Sequence, residues 1–229
     1  MFPIKDNVPT RSFPIVTLLL IATNVAVWVF YELPNLDRAV EEYAYHPCEV
    51  ERSCPVVGQD WPITAVTSMF MHGDWLHLIG NLLFLWIFGN NVEDALGHIR
   101  YLVFYFLGGF AATAVQTFVT LSVGTQLEAA IPNLGASGAV SAVLGAYLIL
   151  LPNASVVTVI WAIIFFIREF PAWLFLGFWF IFQLVLGGMA LFVPEESGGV
   201  AFFAHIGGFV FGALAVRLFV KRRPLQPAY

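Results

Sequence analysis

Ser137 stands in Gly135-Ala136-Ser137-Gly138, and His205 stands in Ala204-His205-Ile206-Gly207-Gly208. A serine hydroxyl is a weak nucleophile until a base takes its proton. A neutral imidazole does that near physiological pH. The oxyanion formed by the attack needs hydrogen-bond donors aimed at it. His77 and Asn81 are one helical turn apart, so their side chains share a face. Together with the Ser137 backbone N–H they are the candidate oxyanion donors. A serine that opens a helix also has the favourable end of the helix dipole. The chemistry is acyl transfer, with Ser137 as nucleophile and His205 as general base. No motif for a metal, nucleotide or other cofactor accompanies it, and none is expected. No aspartate is placed within the spans to orient His205, so a dyad is expected rather than a triad. Each piece alone has a plainer explanation: a Gly-x-Ser-Gly in an apolar helix is usually packing, and a lone histidine is equally a proton relay or interhelical glue. The constellation is far more specific than its parts.

The elements that must position these residues are membrane helices. Hydrophobic residues make up 59% of the 229 residues and charged residues 11%. Soluble domains carry roughly 25% charged residues, so this chain has too little polar surface to face water throughout. Six apolar blocks approach the length of about 20 residues needed to cross a bilayer: Phe13–Tyr31, Leu76–Asn91, Tyr101–Val123, Ser137–Leu151, Ala172–Phe192 and Ala201–Val220. Val156–Ile167 is apolar but too short to span, and is read as a tail of the fourth helix or an interfacial segment. Lys5 and Arg11 precede the first block, but no A-x-A-like cleavage site follows it, so it is read as a retained helix. The expected class is all-α, a polytopic membrane protein. Small residues at Gly138, Ser141 and Gly145 on the fourth block, and at Gly208 and Gly212 on the sixth, allow close helix approach. That approach brings Ser137 within reach of His205.

Charge sets the orientation. With loops alternating sides, Lys5, Arg11, Arg100, Arg168, Arg217, Lys221, Arg222 and Arg223 fall on the side of the termini, against Arg38 and Arg52 opposite. Cytoplasmic loops carry that excess, so both termini are expected in the cytoplasm and the chain in a plasma (inner) membrane. Spans two, four and six then run inward, and each polar cluster sits near the outer end of its helix. Residues 1–12 form an N-terminal tail, 13–220 the six-helix domain with an outer loop over 32–75, and 221–229 a basic tail. The outer loop is acidic and is read as solvated. It also holds Cys48 and Cys54, read as a disulfide or free thiols in preference to a metal site with His46. His46 and His98 lie near loops and receive no role.

At these residues the chain resembles the rhomboid family of intramembrane serine proteases, over essentially its whole length. The shared signatures are a histidine and an asparagine four residues apart in the second helix (His77, Asn81), an earlier histidine (His72), Gly-x-Ser-Gly opening the fourth helix, and His205 with Gly208 and Gly212 in the sixth. The resemblance implies a six-transmembrane-helix core, Ser137 as nucleophile, His205 as base, and Asn81, His77 and the Ser137 N–H as oxyanion hole. Ser137 would lie below the membrane surface in a water-filled cavity open to the outside. The fifth helix and the loop Pro194–Val200 would act as gate and cap, with Phe175, Phe178, Trp179 and Phe182 as candidates to line the gate. Substrates would be single-span membrane proteins with small residues at the cut and a locally unstable helix, met within the lipid bilayer; no nucleic acid is involved. In one respect the chain departs from the family: some members carry a tyrosine that stacks on the catalytic histidine where this chain has Ser141. His205 must then be held by packing or by another polar group.

Two other functions would leave different marks in the sequence. A catalytically inactive rhomboid-like binding module or chaperone would be marked by loss of Ser137 or His205, and both are present. A small transporter would need an ionisable path across the bilayer, whereas the polar residues cluster at one end.

Overall fold

The computed structural model describes residues 2–51, 54, 60–161, 165–192 and 200–225. Strand β1 (Phe2–Asp6) leads into α1 (Ile15–Val27), which continues as a π-turn to Glu32. The loop between the first two spans carries α2 (Leu36–Tyr43) and α3 (Trp61–Thr67). Helices α4 (Trp75–Leu96) and α5 (His98–Val123) follow, then the short α6 (Gln126–Ala129) and α7 (Ser137–Leu150). Strands β2 (Ser155–Trp161) and β3 (Phe165–Pro171) precede α8 (Ala172–Ala190) and α9 (Phe202–Phe219). The protein is a mostly helical, polytopic membrane fold. Helices α1, α4, α5, α7, α8 and α9 coincide with the six apolar blocks. Four of them, α1 with its π-turn, α5, α8 and α9, are both long and apolar enough to cross a bilayer unaided.

Helix α7 is the axis of the bundle. Every residue from Gly138 to Tyr147 is buried, as befits a helix that is apolar all round. Its contact with α9 runs backbone to backbone. A methyl group added at Gly208 would overlap the Gly138 carbonyl oxygen, one at Gly212 the Ala142 carbonyl oxygen, and one at Gly145 the Phe209 carbonyl oxygen. On its other side, a methyl at Gly138 would lie 2.6 Å from the Ala112 side chain of α5. Glycine at these positions is therefore a condition for the approach of α7 to α9.

The end of the bundle remote from Ser137 is closed by charge. Pro14 leaves α1 without a side-chain cap of its own, and Glu93 of α4 supplies one. Its carboxylate accepts from Val16 N (2.9 Å), Thr17 N (2.8 Å) and Thr17 Oγ1 (2.7 Å). Free N–H groups at a helix start and the local dipole favour such an anion. His98 Nδ1 meets the same carboxylate at 2.6 Å. The neighbouring Asp94 ties the chain termini together by accepting from Ser12 Oγ (2.7 Å) and Arg222 (2.8 Å).

Three sequence expectations are corrected. The described part of Val156–Ile167 is not a tail of α7. It falls in an antiparallel hairpin, β2–β3, with Ser155 opposite Pro171, and β1 adds on the other side with Phe2 opposite Val159. The run Val156-Val157-Thr158-Val159-Ile160 is β-branched and suited to a pleated surface, with Val156 and Thr158 buried on one face. The segment 1–12, expected to be a tail, thus contains a strand. It is pinned further by Asp6, whose Oδ2 accepts from Asn91 (2.5 Å) and Tyr147 (2.6 Å). The described part of the loop between the first two spans is also less solvated than expected. Glu32 is fully buried and accepts from His72 N at 2.8 Å. Glu49 accepts from Thr64 Oγ1 at 2.5 Å and contacts His46 at 3.0 Å. Cys48 and Cys54 form a disulfide.

Candidate active site

Three helix starts converge at one end of the bundle. Ser137 is the first residue of α7, His205 is in the first turn of α9, and His77 and Asn81 are in the first two turns of α4. The loop before Ser137 is held by Gly135, whose N–H donates to the Ser68 carbonyl at 2.8 Å. Gly135 has φ of 126°, and a side chain there would lie 2.7 Å from His77 Nε2. Only glycine satisfies both conditions. It lets the backbone that delivers Ser137 pass directly against the His77 ring.

His205 Nε2 lies 2.8 Å from Ser137 Oγ. On its other side, Nδ1 lies 2.9 Å from Oε1 of Gln183, on α8. An amide oxygen only accepts, so Nδ1 donates and Nε2 is left to accept the serine proton. Gln183 is 7% exposed. The Trp179 ring, one turn earlier on the same face of α8, packs 6.1 Å from the imidazole. Ser141, at the position where an aromatic ring was missing, turns away: its hydroxyl donates to the Ser137 carbonyl at 2.6 Å.

The donors expected for an oxyanion face the same space. Asn81 is buried, and its Nδ2 has no hydrogen-bond partner among the described residues. A buried donor left unpaired is costly, so a site that retains one is built to meet an acceptor. Asp74 caps α4 by accepting from His77 N at 2.8 Å. Gly73 N–H reaches His77 Nδ1 across a long 3.4 Å, which leaves the ring proton on Nε2, the atom beside Gly135. His72 backs His77 edge-on, with centroids 5.1 Å apart. Burial, and secondarily His77, push the His72 ring down to about 3, so it is neutral at physiological pH.

His77, Asn81, Ser137, Gln183 and His205 line a cavity of about 560 Å³ bounded by α4, α7, α8 and α9. Phe84 of α4 and Trp179 of α8 form its deeper walls. Of the other aromatics expected at a gate, Phe175 packs inward on Phe84 and Phe88 with ring centroids 6.4 and 6.3 Å away. Phe178 and Phe182 are exposed on the outer face of α8. The expected cap, Pro194–Val200, lies outside the described residues except for Val200, which borders the cavity. Sequence reasoning missed Gln183. The signal was there: it is the one polar side chain apart from tryptophan in α8, and polar groups in membrane helices mark function by default.

The family model described as the Rhomboid domain matches residues 59–222. Rhomboid protein 1, mitochondrial, of Saccharomyces cerevisiae is 28% identical over 195 residues, covering 85% of this chain and 50% of that protein. Presenilin-associated rhomboid-like protein A, mitochondrial, of Danio rerio is 27% identical over 215 residues, covering 90% and 49%. The presenilin-associated rhomboid-like protein, mitochondrial, of Homo sapiens is 27% identical over 200 residues, covering 84% and 45%. The chain thus spans about half the length of these curated relatives.

Proposed function

Because the chain belongs to the rhomboid family, we propose that it is an intramembrane serine endopeptidase that cuts transmembrane segments of other membrane proteins with Ser137 and His205. The observation that carries this reading is the 2.8 Å contact between Ser137 Oγ and His205 Nε2, in a cavity that also presents the Asn81 amide, a donor without a partner among the described residues.

The reaction proceeds in two halves. Ser137 Oγ attacks the scissile carbonyl carbon while His205 Nε2 takes the hydroxyl proton. The carbonyl oxygen becomes an oxyanion, met by Asn81 Nδ2, His77 Nε2–H and the Ser137 backbone N–H. His205 then passes its proton to the leaving amine, and the C–N bond breaks to leave an acyl ester on Ser137. Water attacks the ester carbonyl and gives a proton to His205; the acyl C–O bond then breaks to release the new carboxyl terminus, and His205 returns the proton to Ser137 Oγ. Neither half requires a metal or organic cofactor.

The short α7 explains how this chemistry reaches a membrane segment. Its 14 residues rise about 21 Å, against a hydrocarbon core of about 30 Å. With its inner end at one boundary, Ser137 lies about 9 Å below the other, and the cavity brings water to it. Substrate backbone in a helix has its carbonyls engaged, so unwinding must precede attack. Glycine and proline near the cut favour it. The substrates are therefore single-span proteins with small residues and a weak helix. The excess of Lys and Arg at the far end supports a cytoplasmic location for both termini, with the site on the outer side of a plasma (inner) membrane. In a mitochondrial setting, which the names of the three relatives carry, the same rule turns the termini toward the matrix.

The test is cleavage of a labile single-span substrate by the full chain in detergent, beside Ser137→Ala and His205→Ala. Cleavage by the parent alone supports the assignment. Cleavage that survives Ser137→Ala removes Ser137 as nucleophile. An inactive rhomboid-like binding protein would show neither cleavage nor covalent capture of a serine-directed probe.

A further inference from the structure

We propose that Gln183 is a positioning residue, whose amide carbonyl holds His205 in the tautomer able to take the Ser137 proton. This rests on the reading of Ser137 and His205 as nucleophile and base. A neutral imidazole has one N–H and one lone pair, and the group at one nitrogen decides the role of the other. With Gln183 Oε1 at 2.9 Å, Nδ1 carries the proton and Nε2 points its lone pair at Ser137 Oγ. The amide turned the other way would donate to Nδ1, force the proton onto Nε2, and make His205 a donor to the hydroxyl it must deprotonate. The orientation of one side chain thus separates a competent pair from an inert one.

Among the described residues, no other group within reach performs this task. Ser141 is engaged with the Ser137 carbonyl. Trp179 and Phe202 flank the imidazole through ring contacts, which fix its plane but not its proton. A neutral amide also suits the location. A carboxylate at this burial would carry a large desolvation cost in a membrane core, whereas an amide accepts the N–H without bringing a charge. Because Gln183 sits on α8, the base is set only while α8 is docked against α9. Withdrawal of α8 disconnects Nδ1.

The experiment uses the full chain in detergent with a single-span substrate, comparing the parent with Gln183→Met and Gln183→Glu. Methionine keeps the length and removes the acceptor, so kcat falls about 10- to 100-fold with KM within about twofold. Glutamate restores an acceptor and adds charge. It retains kcat within about tenfold, and the acid limb of its pH–rate profile moves to higher pH, because a carboxylate favours the protonated ring. In nitrogen-15 spectra of histidine-labelled parent, the expected result is His205 protonated at Nδ1. A Gln183→Met enzyme with the parent's kcat and pH profile overturns the proposal. So does a parent spectrum with the neutral proton on Nε2, which stands even if a variant misfolds. Failure of the protease reading has a different signature, a parent that neither cleaves substrate nor captures a serine-directed probe, and this inference falls with it.

Discussion

Replacing Gly208 by alanine tests whether helix approach sets the chemistry. The added methyl would overlap the Gly138 carbonyl oxygen, with the Ser141 side chain next at 3.3 Å. The obstacle is backbone, so no rotamer change relieves it, and α9 must move away from α7. A carbon–oxygen contact of ordinary length requires a displacement of about 1 Å, and a misplacement of that size costs on the order of 100-fold in rate. Gly208 is one turn from His205, so the shift passes directly to the imidazole. It stretches the 2.8 Å bond to Ser137 beyond hydrogen-bonding range. The assay is the rate of covalent labelling by a fluorophosphonate, read on the monodisperse, helical fraction. Gly177→Ala is the control, since a methyl there meets nothing within 4 Å. The expected result is labelling slowed about 100-fold in Gly208→Ala and unchanged in Gly177→Ala. Folded Gly208→Ala that labels within twofold of the parent would refute the reasoning.

Two further outcomes follow from the same structure. Asn81→Ala removes a donor that meets charge only in the transition state, so kcat falls about 100-fold while KM changes little; steady-state cleavage kinetics check it, and a change confined to KM contradicts it. Asp6 is pushed up to about 6 from 3.8, mainly by burial, with the bonds from Tyr147, the backbone and Asn91 opposing. Its folded-state value is raised, so its contribution to stability is fully present below about pH 4 and is lost as pH rises through about 6. Thermal unfolding across that window shows a decline that Asp6→Asn abolishes; an identical decline in the variant contradicts the assignment.

Much of the site was legible because its members announce themselves by type and spacing. Ser137 between glycines, His205 ahead of Gly208 and Gly212, and the turn-spaced His77 and Asn81 all lie at helix starts, and charge asymmetry put those starts on one side. What was not legible depends on partners far along the chain. Gln183 is 22 residues from His205, and only the docking of α8 on α9 brings them together. The hairpin over Val156–Ile167 has an alternating, β-branched pattern, but its outer partner β1 is about 150 residues earlier, and an apolar run beside a membrane helix reads more readily as lipid-facing. Glu32 looked like one more acidic loop residue. Its burial against His72 follows from the π-turn that extends α1, which no local pattern signals.

The most direct test of the central claim is where a serine-directed fluorophosphonate attaches. The purified full chain is labelled, digested and mapped by mass spectrometry, beside His205→Ala. A single adduct on Ser137 that is lost in His205→Ala is the expected result. An adduct on another serine, or labelling of Ser137 undiminished without His205, would contradict it.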